Sequence, residues 1–174
     1  MAPLPGQIIR ILQADDAHLF RAFRLAGLRE SPASFGASLA DEVATSVDEV
    51  AARITPTEQS WVLGAFADPA ALIGCIGWYR DQGTKVAHKS HIWGMYVAPA
   101  FRGKGIARAL VADVIARAGQ VPGVIQVELF VSVENPRAAR LYEAAGFERV
   151  AVLPRSLCVD GRYIDDLLLI RRVP

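Results

Sequence analysis

Apolar residues recur along this chain in two rhythms, one near every second position and one near every third or fourth, and the balance between them shifts at Trp61. Residues 7–13 alternate weakly and are β-branched, which predicts an opening strand. Asp15 or Asp16 suits the cap of the next segment, where Leu19, Phe20, Phe23, Ala26 and Leu28 predict a helix that Pro32 closes. Residues 31–40 contain Pro, Ser and Gly and read as a loop. A second helix is predicted from about Ser46, with Asp48 and Glu49 in its first turn favoured by the positive end of the helix dipole, and Thr55-Pro56 ends it.

After Trp61 the strand rhythm dominates. Residues 61–66 and 71–79 predict a hairpin turning at Ala67-Asp68-Pro69, and a polar loop at 81–85 leads to a strand from about His88 to Val97. Between Gly105 and Ala118, Ile106, Leu110, Val114 and Ala118 fall at helical spacing. Residues 124–133 are strongly β-prone, 136–145 are helical, and two further strands flank Asp160-Gly161. The second half thus reads as a β-α-β-α-β unit. The predicted fold class is α/β (α+β), a twisted mixed β-sheet of about six to seven strands with helices on both faces.

Composition narrows the classes of function. A chain of 174 residues with 52% hydrophobic content suits one compact domain over residues 1–174. A net charge of +1 argues against a nucleic-acid face dominated by phosphate neutralisation. The apolar runs are short and interrupted by charges, and the first six residues lack a basic segment followed by an apolar one, so a soluble cytoplasmic protein without a membrane partner is expected. Cys75 and Cys158 lie far apart, and His18, His88 and His91 have no zinc-ligand spacing, so reduced thiols and no metal are expected.

The most informative segment is Val97-Ala98-Pro99-Ala100-Phe101-Arg102-Gly103-Lys104-Gly105-Ile106-Ala107. It leaves a strand, turns through a basic glycine-containing loop and opens a helix. A helix start exposes unpaired N–H groups and the positive dipole end, and glycine lets that backbone approach an anion. A pyrophosphate would suit such a nest, with Arg102 and Lys104 adding charge. The loop is neither G-x-x-x-x-G-K-[ST] nor a G-x-G-x-x-G that follows a first strand. Farther on, Asn135 suits a helix N-cap, Pro136 the first helical position and Gly146 a left-handed C-cap. Asn135 and Tyr142 are seven positions apart, which brings them back to nearly one face of a helix.

Two stretches carry a family resemblance. Arg102-Gly103-Lys104-Gly105-Ile106-Ala107 matches [RQ]-x-x-G-x-[GA], the pyrophosphate-binding signature of the GNAT N-acetyltransferase superfamily. Asn135-Pro136-Arg137-Ala138-Ala139-Arg140-Leu141-Tyr142-Glu143-Ala144-Ala145-Gly146-Phe147 resembles that superfamily's closing motif. The resemblance implies acetyl-CoA as cosubstrate, with its pyrophosphate on the backbone of residues 102–107. It also implies that backbone groups of Met95 and Val97 pair with the pantetheine arm, that Asn135 contacts that arm, and that Tyr142 is the general acid. The expected partners are acetyl-CoA and an amine acceptor, and a homodimer is compatible with the resemblance. In this architecture residues 31–38 lie near the acceptor cleft, and they carry no acidic cluster to announce a polycation.

Acetyl transfer also needs a base. Glu128 shares a strand face with Gln126, Phe130 and Ser132, where it is either ion-paired with an arginine or the base. His91 occupies a position that is glutamate in some members of the superfamily, and it is either the base or a strand-end histidine. A nucleophilic-cysteine route would need a base beside Cys75, and none is evident. Gly94 inside a strand marks either a bulge, which the superfamily has here, or tight packing. The alternative to an enzyme is a non-catalytic acyl-CoA-binding regulatory module on the same fold.

Overall fold

The computed structural model describes residues 8–174, so Gln7 and the six residues before it, which open the first predicted strand and carry the leader argument, lie outside the described residues. In chain order the elements are β1 (Ile8–Ile11), α1 (Ala17–Glu30), α2 (Leu39–Ala44), α3 (Val47–Ile54), β2 (Ser60–Asp68), β3 (Ala71–Arg80), β4 (Lys89–Val97), α4 (Ile106–Ala118), β5 (Gln126–Ser132), α5 (Pro136–Ala144), β6 (Glu148–Val159) and β7 (Arg162–Arg172). The strands form one seven-stranded sheet in the order β1-β2-β3-β4-β5-β7-β6. Among the described residues only the β4–β5 pair is parallel, so the sheet is mixed as predicted.

Two starts depart from the sequence reading. Asp16 precedes α1, but its carboxylate accepts from both Arg10 Nη atoms at 2.7 Å and from Gln13 N at 2.8 Å, and makes no cap bond to the helix. The stretch 31–40 is not all loop. It holds a 3₁₀ turn, Pro32–Ser34, and the start of α2, capped by Ser38 Oγ accepting from Asp41 N at 3.0 Å. Six residues are too few to display a helical period, which is why α2 escaped the pattern. By contrast α3 starts as expected: Ser46 Oγ accepts from Glu49 N, and the Glu49 carboxylate accepts from Ser46 N at 2.7 Å.

Alternation along the strands sorts side chains onto two cores. Trp61, Leu63, Trp78, Ile92, Val127, Leu129 and Val131 pack with Ile106, Leu110 and Val114 of α4 and with Tyr142 of α5. On the other face Val62, Phe66, Cys75 and Tyr96 pack with Phe20 of α1 and with Val50 and Ile54 of α3. Helices therefore cover both faces.

The feature that positions the site is a parting of strands. β4 and β5 share three register pairs, Lys89↔Gln126, Ser90↔Val127 and His91↔Glu128, and none beyond. On its other edge β4 carries a bulge, since Gly94 and Met95 stand opposite Ile76 alone, between the pairs Cys75↔Tyr96 and Gly77↔Trp93. Gly94 has φ +63°, a left-handed value that glycine adopts without steric penalty, so the bulge reading of that glycine holds.

Candidate active site

β4 ends at Val97, and the chain passes through a 3₁₀ turn, Pro99–Phe101, before α4. Gly103 and Gly105 both lie in the left-handed region, at φ +76° and +84°. A Cβ on Gly103 would meet nothing within 4 Å, so backbone torsion and not space requires glycine there. Gly105 is the N-cap residue of α4, and the first-turn N–H groups beyond it have no partner within the helix.

These residues border a cavity of about 610 Å³. Of the expected cofactor residues, Met95, Val97, Arg102, Gly103, Gly105, Ile106, Ala107 and Asn135 lie on its wall. Lys104 does not; its ammonium sits 5.0 Å from the centre of the Phe101 ring. Ser34 and Phe35 complete the wall from the segment expected to flank the acceptor. Asn135 ties that segment to α5, donating through Nδ2 to Ser34 Oγ at 3.3 Å while its Oδ1 accepts from Ala138 N at 3.1 Å as the predicted cap.

Arg102 is engaged differently from the expectation. Its Nε donates to Val97 O at 2.9 Å, and its two Nη atoms donate to Glu30 at 2.7 and 2.8 Å. The Tyr96 hydroxyl donates to the same carboxylate at 2.6 Å. The bonds from Arg102, then that from Tyr96, hold the Glu30 carboxyl below its ordinary range. Burial, and then the bond to Glu30, push the Tyr96 phenol up to about 12. The charge of Arg102 is thus largely answered within the protein, and the glycine backbone is left as the main anion donor.

Tyr142 is 5% exposed, lies edge-on to Phe147 with ring centres 5.7 Å apart, and is not on the cavity wall. The expectation that it shares a face with Asn135 fails for a local reason. Asn135 has φ −113° and ψ 65°, outside helical geometry, so the 100° step does not apply to it. Within α5 the cavity side is Arg137, Ala138 and Leu141, while Ala139 and Tyr142 turn toward the core. Burial raises the Tyr142 phenol well above its ordinary value, so it holds its proton.

The two candidate bases come together. His91 and Glu128 are register partners on the α1 face, and Tyr79 on β3 is the next residue in that row. Tyr79 stacks on the His91 ring at 4.8 Å, and His91 Nε2 lies 3.1 Å from Asp81 Oδ2. Burial pushes the Asp81 carboxyl up, but the bond to His91 and the charges of His91 and Lys89 outweigh it and hold it below the usual range. Glu128 accepts from Gln126 Nε2 at 2.7 Å and lies 3.8 Å from Lys89 Nζ, so its ion-pair partner is a lysine and not the arginine expected. Asp81 and Tyr79 went unnoticed in the sequence, although the position of Asp81 at the head of a polar loop was legible. Cys75 is buried, donates weakly to Gly94 O at 3.5 Å, and has its thiol pushed up to about 12 by burial, which removes it as a nucleophile.

A family model described as the Acetyltransferase (GNAT) family matches residues 26–147. The chain belongs to the GNAT acetyltransferase family. Among relatives, this GNAT chain is 35% identical over 78 residues to a spermidine N(1)-acetyltransferase of Vibrio cholerae, a match covering 45% of each chain. It spans less than half the length of the curated relatives it matches. Among solved structures, an acetyltransferase of GNAT family from Streptococcus pneumoniae superposes with a TM-score of 0.83 at 22% identity, covering 96% of this chain and 99% of that one. A spermidine N-acetyltransferase from Vibrio cholerae in complex with CoA and spermine gives 0.78 at 21% identity, covering 97% and 96%. These likenesses establish the GNAT fold. Among the described residues, no three His, Cys, Asp or Glu side chains gather as a metal site, and no helix is long and apolar enough to cross a membrane.

Proposed function

We propose that this protein is an acetyl-CoA-dependent N-acetyltransferase, moving acetyl directly from the thioester to the amine of a small molecule or of a peptide N-terminus. One observation carries the reading: a single cavity joins the left-handed glycine turn before α4, the bulged end of β4 and the capped start of α5. Those features fit an elongated ligand with an anionic middle and a polar arm, which is the chemistry of coenzyme A. The cosubstrate supplies an activated acetyl group; the protein's work is to bind, orient and move protons.

Backbone N–H groups of residues 103–107 would hold the diphosphate, and exposed backbone of Met95 and Val97 would pair with the arm. The acceptor amine is largely protonated at neutral pH and must lose a proton before it attacks. His91 and Glu128 stand in one row where the strands part, and either can take that proton. Asp81 Oδ2, 3.1 Å from His91 Nε2, orients that ring. A backbone N–H at the bulge can stabilise the charge that develops on the carbonyl oxygen. Tyr142, kept protonated by burial, is the candidate acid for the departing sulfur, a role that requires its hydroxyl to reach the cavity from the core side of α5.

The test is a screen of amines with acetyl-CoA, read by thiol release. Amine-dependent release is expected. Binding of acetyl-CoA without amine-dependent release across the panel would instead mark a non-catalytic binding module.

A further inference from the structure

The α1 face holds a charge that the proposed mechanism does not use. Arg24, in the middle of α1, is 9% exposed, and Glu42 of α2 is 3% exposed. Arg24 Nε approaches Glu42 Oε2 to 2.8 Å, and Arg53 of α3 bonds both oxygens of the same carboxylate. Two cations therefore share one anion. Arg53 is one-third exposed and can be answered by water, whereas Arg24 is enclosed. That approach to Glu42 is the one polar side-chain contact of Arg24 among the described residues, and it engages Nε and not the Nη pair.

Its other neighbours supply no negative charge. The guanidinium lies 5.3 Å from the centre of the Trp93 ring, a neutral face. The Cys75 thiol remains protonated under burial. Glu30 is taken by Arg102 and Tyr96. A guanidinium enclosed with half of a carboxylate is costly unless a further anion completes it.

Position tells where that anion would come from. Arg24 Nη1 would lie 3.2 Å from a Cβ placed on Gly94, the bulge residue adjoining Met95 on the cavity wall. Trp93, beneath the guanidinium, shares the α1 face of the sheet with His91 and Glu128. The half-answered cation thus stands beside the bulge residue that adjoins the cavity wall, on the same face as the candidate bases.

We propose that Arg24 is an anion subsite that receives a carboxylate carried by the acceptor, so that the protein acetylates carboxylate-bearing amines of the amino-acid type and discriminates against polyamines. A planar guanidinium matches a carboxylate with two parallel hydrogen bonds. A polyamine would bring a second positive charge toward an enclosed first one. The subsite rests on the N-acetyltransferase reading above and deepens it.

The experiment compares amino acids with the amines formed by removing their carboxylate, phenylalanine against phenethylamine and leucine against 3-methylbutylamine, with spermidine as the polycation. The wild-type protein is expected to favour the carboxylate member by about 10- to 100-fold in kcat/KM. Arg24→Gln should bring that ratio toward one, and Arg24→Lys should keep part of it, with calorimetric acetyl-CoA affinity confirming that both variants fold. Equal rates within each wild-type pair, a preference for spermidine, or an unchanged ratio in Arg24→Gln would overturn the subsite. Should no amine release thiol, the acetyltransferase reading fails by itself. The subsite is then read by titrating phenylalanine into the CoA-loaded protein: heat that Arg24→Gln abolishes supports it, and no heat in the wild type overturns it.

Discussion

The two ends of the site are built by opposite means. The proposed cofactor end draws mainly on one stretch, Met95 to Ala107, joined by Asn135 at the start of α5, and what that stretch offers is mostly backbone: two left-handed glycines and a helix start. The proposed acceptor face draws side chains from across the chain: strand register sets His91 beside Glu128 with Asp81 at the His91 ring, and helix packing sets Arg24 against Glu42. A backbone nest recognises a diphosphate whatever is attached to it, whereas side chains set charge and shape. The arrangement therefore pairs an invariant donor with a selectable acceptor. It also makes the cofactor end sensitive to conformation and the acceptor face sensitive to chemistry.

That contrast can be broken most severely at Gly105. Gly105→Glu places a Cβ at φ +84° and a carboxylate in the anion nest, and it should remove measurable heat of acetyl-CoA binding in calorimetry. Retained affinity would mean that the nest is elsewhere. Tyr142→Phe should lower turnover by about 10²–10⁴-fold with cofactor affinity little changed; wild-type turnover would remove the assigned acid. Glu42→Ala leaves two arginines without their anion and should cost about 3–5 kcal/mol in denaturant unfolding.

Glu42 also predicts a pH effect. Burial alone would raise its carboxyl, but the bonds and charges of Arg53 and Arg24 hold it below its ordinary value. A lowered folded-state value contributes stability that is present above the unfolded value of about 4.3 and lost as pH falls through the folded value. Tm should therefore fall on acidification below that range, and Glu42→Gln should flatten that part of the curve. A smaller contrast separates the two bases. His91→Ala and Glu128→Gln should each be profiled against pH, and the base is the one whose loss removes the acidic limb and about 10²-fold of rate. If both profiles keep that limb, neither residue is the base. The least effect is expected from Arg102→Ala, about threefold in acetyl-CoA affinity, because Arg102 is already bound to Glu30. A hundredfold loss would show that Arg102 leaves Glu30 to engage the ligand.

The same division governs what could be read from the sequence. The α4 turn and the α5 cap were legible because local chemistry dictates them: glycine for positive φ, Asn135 and Pro136 for a helix start. The mixed sheet followed from periodicity. What stayed hidden depends on distance through the fold. No local pattern announces that Glu30 would claim Arg102, that Asp81 would reach His91, or that Arg24 and Arg53 would meet at Glu42. The face of Tyr142 was misjudged because a helical wheel was extended to a cap residue whose torsions are not helical.

One consequence of the parting between β4 and β5 reaches beyond the chemistry. Three register pairs, with the Ile125 N to His88 O bond just before them, stitch one half of the sheet to the other, and past His91 the facing edges of β4 and β5 no longer pair. A ligand arm laid along that seam would act as a missing strand, closing the ladder it enters. Occupancy and resistance to unfolding would then rise together by mass action, and amide exchange along residues 92–97 would report both.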